Sequence, residues 1–126
     1  MGRATPLIAV VDDNDDVRIA FGRLARSAGL AMEGFASGMD FLRSIEDHEP
    51  DCVLLDLRMP GMDGFEVQAA LARRHATLPV IVITAHDTAA SRARAVALGA
   101  CACLRKPVDD DVLLAAVAHA LGTAAN

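Results

Sequence analysis

Three stretches of this chain are apolar without interruption: Leu7-Ile8-Ala9-Val10-Val11, Cys52-Val53-Leu54-Leu55 and Val80-Ile81-Val82-Ile83. A strand with one face in water alternates apolar and polar residues. Runs without alternation must be covered on both faces, which is the condition of a central strand in a parallel sheet. Each run then ends on a polar residue, Asp12-Asp13, Asp56 or Thr84. Asp56 is followed by Leu57-Arg58-Met59-Pro60-Gly61, so the third strand closes on a carboxylate and breaks into a Pro-Gly turn.

Helical spacing fills the intervals. Val17, Ala20, Phe21, Leu24 and Ala28 recur on one face and stop at Gly29. Ala31 to Phe35 is a short second strand, and Ser37-Gly-Met-Asp40 is a capping-box-like start for a helix through Ile45. Asp63-Gly64 opens a helix to about Arg74, whose Arg73-Arg74 pair suits the negative end of the helix dipole. Ala89, Ala93, Val96 and Ala97 mark a fourth helix ending at Gly99; Cys101 to Arg105 is the fifth strand, closing on Lys106-Pro107. Asp109-Asp110-Asp111 start a fifth helix with Leu113, Ala116, Val117, Ala120 and Leu121 on one face, and read as helix capping rather than a metal site.

Five strands alternating with five helices through short loops predict an α/β fold: one doubly wound, five-stranded parallel sheet with right-handed crossovers and helices on both faces. All strand carboxyl ends then share one edge, and a flavodoxin-like order of 2-1-3-4-5 makes the first and third strands neighbours. Asp12, Asp13 and Asp56 fall in one pocket, flanked by Thr84 and Lys106. Core packing asks for none of these polar residues at the ends of four apolar strands.

With 126 residues there is room for one core, and residues 1–126 read as a single domain with an ordered core of about 5–121. Residues 122–126 read as a frayed tail or the start of a linker. A formal charge of −5 argues against direct nucleic-acid binding. No apolar run approaches the roughly 20 residues that span a bilayer, and the amino terminus has no apolar leader core, so the reading is cytoplasmic with no membrane contact. Cys52, Cys101 and Cys103 make an odd set without a Cys-x-x-Cys pair, read as small buried strand residues; the four histidines have no metal-ligand spacing.

Three carboxylates in one pocket repel: a like pair at 4 Å costs about 4 kcal/mol at an effective dielectric of 20. A hard divalent cation with oxygen ligands answers that repulsion, and a cage that leaves positions for water and phosphate suits Mg²⁺ better than Ca²⁺. A carboxylate is also a known nucleophile toward phosphorus, with Lys106 as a point charge and the Thr84 hydroxyl as donor to a phosphoryl oxygen.

These residues carry a resemblance. Asp12-Asp13, the segment from Asp56 through Met59-Pro60-Gly61 to Asp63-Gly64, Thr84-Ala85 and Lys106-Pro107, in this order across the chain, resemble the receiver domain of two-component response regulators. The Asp-Leu-Arg-Met-Pro and Ile-Thr-Ala-His wording is most similar to FixJ-type regulators. The resemblance implies a phosphoacceptor switch rather than a turnover enzyme. Asp56 would accept a phosphoryl group from a sensor histidine kinase or a histidine phosphotransfer protein. Asp12, Asp13, Asp56 and the Arg58 backbone carbonyl would hold Mg²⁺, Thr84 would be the switch hydroxyl, and Lys106 the phosphate-sensing cation. It also implies a cis Lys106-Pro107 bond.

One departure is Cys103, three residues before the lysine, where receivers usually carry an aromatic that turns inward on activation. Two rival classes fit less well. A haloacid-dehalogenase-type phosphatase wants a second aspartate two residues after the nucleophile, where this chain has Arg58. A flavin mononucleotide module wants Ser/Thr/Gly-rich phosphate loops, where this chain has Asp12-Asp13-Asn14-Asp15-Asp16. Arg58 and His86 are expected beside the path of an attacking water. Ala90, Arg94, Leu98, Val112 and His119 are expected to form an exposed face of the fourth and fifth helices, open to an output partner or a second copy.

Overall fold

The computed structural model describes residues 5–74 and 77–122. The amino-terminal residues up to Ala4, His75 and the tail from Thr123 lie outside the described residues. The elements run β1 (Leu7–Val11), α1 (Asp15–Ser27), β2 (Ala31–Phe35), α2 (Gly38–Ser44), β3 (Cys52–Leu55), α3 (Gly64–Arg74), β4 (Val80–Thr84), α4 (Ala89–Ala97), β5 (Ala102–Arg105) and α5 (Asp110–Ala120). The strands are all parallel, in the expected order β2-β1-β3-β4-β5.

The uninterrupted apolar runs have their predicted cause. Ala9, Val11, Val53, Leu55 and Val82 point to a core shared with Phe41, Val67 and Leu71 of α2 and α3. Their neighbours Ile8, Val10, Cys52, Leu54, Ile81 and Ile83 point to a second core with Leu113 and Val117 of α5. Alternate side chains of one strand thus enter different cores, so neither set can be polar.

Helix starts follow side-chain chemistry. Asn14, Ser37, Thr88 and Asp109 each accept a backbone N–H of the helix they precede. At α3, Asp63 and Glu66 bond reciprocally to each other's N–H at 3.1 and 2.9 Å, a capping box that the sequence reading passed over. Gly64 is required by space: a Cβ there would sit 2.5 Å from the Asp56 carbonyl oxygen and 2.7 Å from the Leu57 Cα. Gly61, at φ +77°, turns the chain between β3 and α3. Lys106-Pro107 is cis.

Two expectations need correction. β5 starts at Ala102, and Cys101 is an exposed bend residue tied by its N–H to the Val80 carbonyl at 2.9 Å; Cys103 is half-buried. Only Cys52 is a fully buried thiol, its pKa pushed up to about 12, chiefly by burial. β5 is a sheet edge with thinner cover, which is why apolar cysteines there are not enclosed. In α4 the residues whose spacing marks the helix, Ala89, Ala93, Val96 and Ala97, are all exposed, Val96 at 57%. Ala95 is the buried residue, and Leu98, placed on the outer face, is half-buried. A helix of alanines and arginines has no strong apolar stripe from which its phase can be read.

Candidate functional site

β1 and β3 are adjacent, so their carboxyl ends bring Asp12 and Asp56 together at the topological switch point. Both strand ends are held by the sheet: Asp56 N–H donates to Val11 O and Asp12 N–H to Phe35 O, each at 3.0 Å. Asp12 and Asp56 are 3% and 7% exposed, whereas Asp13 is open to solvent. Carboxylate oxygens of the three lie within 4.8 Å of one another. An all-oxygen, anionic donor set of this size, with one open side, fits a hard divalent cation that keeps part of its hydration.

Lys106 lies directly after β5, and its N–H donates to Thr84 O at 2.9 Å, which registers the last two strand ends. Its Nζ reaches Asp12 Oδ2 at 2.7 Å and stands 3.5 Å from Asp56 Oδ2. Asp12 Oδ1 accepts the Asn14 N–H at 3.0 Å, and Asp56 Oδ1 accepts the Arg58 N–H at 3.3 Å. Burial pushes the Asp56 carboxyl pKa above its ordinary value; Lys106 pulls it down and Asp12 pushes it up. The phosphoacceptor candidate therefore sits among charges that nearly cancel, in a place where its own charge is poorly solvated.

Thr84 is 2% exposed, and its Oγ1 accepts the His86 N–H at 3.0 Å. That bond holds the start of the loop to α4. Beside it opens a cleft of about 550 Å³ lined by Arg58, Met59, Phe65, Thr84, His86 and Ser91 among others. The Arg58 and His86 side chains are exposed on its rim. The sequence-predicted residues Asp12, Asp13, Asp56, Thr84 and Lys106 all meet at this edge.

Two contributors were missed. Arg18 Nη1 donates to the Asp12 carbonyl oxygen at 2.6 Å and pairs with Asp15, bracing the β1 end from α1. Asn14 caps α1 with its side chain while its N–H serves Asp12. Asn14 was legible as an N-cap residue just before a helical pattern; Arg18 carries no sequence signal beyond being an arginine in a first turn.

The model of the response regulator receiver domain family matches residues 8–118. The DNA-binding transcriptional regulator NtrC of Escherichia coli is 37% identical over 91% of this chain, and the chain covers 24% of NtrC. The transcriptional regulatory protein FixJ of Azorhizobium caulinodans is 38% identical over 94% of the chain, which spans 56% of FixJ. The chain thus corresponds to a quarter to about half of these curated relatives. Among solved structures, a response regulator receiver protein from Burkholderia phymatum is 45% identical with a TM-score of 0.84, covering 94% of this chain and 96% of that one.

Proposed function

Because the chain belongs to the response regulator receiver domain family, we propose that it is the phosphoacceptor switch of a two-component system, with Asp56 as the acceptor. The observation that carries the reading is the convergence of the Asp12, Asp13 and Asp56 carboxylates, within 4.8 Å of one another, with the Lys106 ammonium at 3.5 Å from Asp56. No packing need explains that set at a sheet edge.

In the proposed transfer, an Asp56 Oδ attacks the phosphorus of a phosphohistidine on the donor protein. The P–N bond breaks as the acyl phosphate P–O bond forms, and the imidazole leaves and takes up a proton. Lys106 lies where it can pair with a phosphoryl oxygen, exchanging part of its present bond to Asp12 for that contact. Thr84 offers its hydroxyl hydrogen to another oxygen. Asp12, Asp13, Asp56 and the Arg58 carbonyl would hold Mg²⁺, which when bound neutralises the carboxylates and orients a phosphoryl oxygen.

The donor's approach has a natural surface. An apolar groove of about 370 Å³, lined by Val17, Ala20, Phe21, Pro107 and Val108, ends at Lys106, and we assign it to the histidine kinase or phosphotransfer protein. Among the described residues no helix is long and apolar enough to cross a membrane. We place the domain in the cytoplasm, acting as a switch rather than by steady turnover. The exposed α4 and α5 residues, including Ala90, Arg94, Val112 and His119, are left for an output partner or a second copy.

The test is intact mass after incubation with acetyl phosphate and Mg²⁺. A gain of one phosphoryl group is expected, and Asp56→Asn should abolish it. A label that persists in Asp56→Asn would overturn the assignment.

A further inference from the structure

Helix α4 buries a single residue, Ala95. Two contacts reach it from α3. Gln68, 1% exposed, donates from Nε2 to the Ala95 carbonyl oxygen at 2.9 Å. A carbonyl can only accept, so chemistry sets the orientation of this amide. One turn earlier on α3, the Phe65 ring lies under the Arg94 guanidinium, 4.1 Å from the ring centroid.

Gln68 is unusual in its surroundings. Among the described residues the buried polar or charged side chains are Asp12, Asp56, Thr84 and Gln68, and only Gln68 lies away from the strand-end site. Its neighbours on α3, Val67 and Leu71, are apolar core residues. Its Oε1 accepts from no protein donor, so the amide is half used. A leucine or methionine would fill this volume at less desolvation cost. What the amide adds is direction: a donor aimed at one carbonyl near the carboxyl end of α4, where carbonyls lack the partner that the next helical turn would supply. Ala95 O also accepts the Ala100 N–H at 3.0 Å, so the same carbonyl ties α4 to the turn into β5. Beside it a groove of about 320 Å³, lined by Gln68, Leu78, Leu98 and Gly99 among others, leaves room for the last turn of α4 to shift.

We propose that Gln68 is a positioning residue that seats α4, and that the α4 response to a phosphoryl group at Asp56 is measured from this seat. The second half rests on the receiver reading given above; the first does not. α4 begins at the Thr88 cap, four residues after Thr84, so a change at the hydroxyl reaches α4 along the backbone. A helix held by one directed hydrogen bond, one ring contact and a single buried alanine has two definable arrangements, with the Gln68 bond made or released. One held by a broad apolar face would resist such a step.

The test uses Gln68→Met, which keeps length and approximate volume but removes the donor. Gln68→Leu stands in if that variant folds poorly. Without any phosphodonor, amide hydrogen exchange over residues 92–99 should be about five-fold faster than in the parent, the factor expected for one lost net hydrogen bond, with β1 and β3 amides unchanged. Adding beryllofluoride and Mg²⁺ should then alter α4 protection by less than half as much as in the parent, while acetyl phosphate still labels Asp56. Unchanged α4 exchange, or uniform acceleration throughout the domain, overturns the seat. A faster α4 with a parental beryllofluoride response overturns the link to signalling. A parent that neither labels nor responds defeats the receiver reading, and a local five-fold effect would still uphold the seat.

Discussion

The carboxylate cluster makes a prediction about stability that runs against ordinary experience with buried site residues: Asp56→Asn should stabilise the metal-free protein. Asp56 faces two like charges within 4.8 Å, and at an effective dielectric of 20 each pair costs about 3.5 kcal/mol. Asp13 is exposed, so its share is roughly halved by solvent screening; the repulsion on Asp56 is then about 5 kcal/mol. Lys106 at 3.5 Å returns about 4.7 kcal/mol by the same rule. The two nearly cancel, and the burial of a charged carboxylate decides the sign, which is also the leading cause of the raised Asp56 pKa. Asparagine keeps an oxygen for the Arg58 N–H and carries no charge to desolvate. A gain of about 1 kcal/mol, roughly 4 °C in Tm, is expected at neutral pH.

The pH dependence follows from the direction of the shift. A carboxyl whose folded pKa is raised contributes stability in full below its unfolded value, and that contribution is lost as pH rises through the folded value. The gap between Asp56→Asn and the parent should therefore open between the ordinary carboxylate range and the raised Asp56 value, and close in acid. Mg²⁺ should reverse the order: at a hundred-fold excess over Kd it adds about 2.7 kcal/mol to a chain that binds it, and the variant has lost an anionic ligand. Thermal unfolding by circular dichroism, in chelator and in Mg²⁺, reads all of this without needing a tryptophan, which the chain lacks. A variant less stable than the parent in chelator at pH 7, or a gap independent of pH, would refute the charge argument.

Other outcomes follow from single contacts. Arg58→Ala should shorten the lifetime of the acyl phosphate if the exposed side chain on the cleft rim screens attacking water, and an unchanged decay rate by mass spectrometry would return Arg58 to the solvated surface. Gly64→Ala should cost several kcal/mol, since its methyl would meet the Asp56 carbonyl at 2.5 Å; a denaturant midpoint near the parent's would show that α3 can retreat. Val17→Asp should cut transfer from a phosphorylated histidine kinase about ten-fold, because a charge enters the apolar groove beside Lys106. Labelling by acetyl phosphate should be unchanged, and equal loss with both donors would remove the groove from the docking role.

Much of this architecture was legible because its causes are local. A four- or five-residue apolar run without alternation, rich in Val, Ile and Leu and closed by a polar residue or turn, reads as a doubly covered strand, and three such runs with helical intervals leave few topologies. The convergence of Asp12, Asp13, Asp56, Thr84 and Lys106 at one edge was legible for a related reason: they end apolar strands where packing has no use for them. What escaped depends on contacts between elements. The phase of α4 is set by Gln68 on α3 and by Ala95 beneath it, and neither residue stands out in a helix rich in alanine or in a run such as Glu66-Val67-Gln68-Ala69. The start of β5 escaped for want of a boundary signal, since Cys101 and Cys103 look alike and only the sheet edge makes one exposed and the other half-buried.

Cys103 bears on how the proposed switch is read out. It pairs in register with Val82 of β4, and its half-buried thiol lies near Arg92 and Asp87, which bridge each other at 2.6 Å. Burial raises the thiol pKa and Arg92 lowers it, so Cys103 is a small neutral body there. It has no ring to swing into the space beside Thr84. The Thr84 hydroxyl, in contrast, already bonds to the backbone: Oγ1 accepts the His86 N–H at 3.0 Å. If it turns toward a phosphoryl oxygen, that acceptor is withdrawn and the His86 N–H must find another. The loop from Ala85 to Thr88 is then released at His86, while Thr88 still caps α4 through Ser91 at 3.0 Å. A loop freed at one end and fixed to a helix at the other transmits its displacement to that helix. On the proposed reading the signal would then travel along the main chain to α4, with the Gln68 hydrogen bond and the Phe65–Arg94 contact set against it.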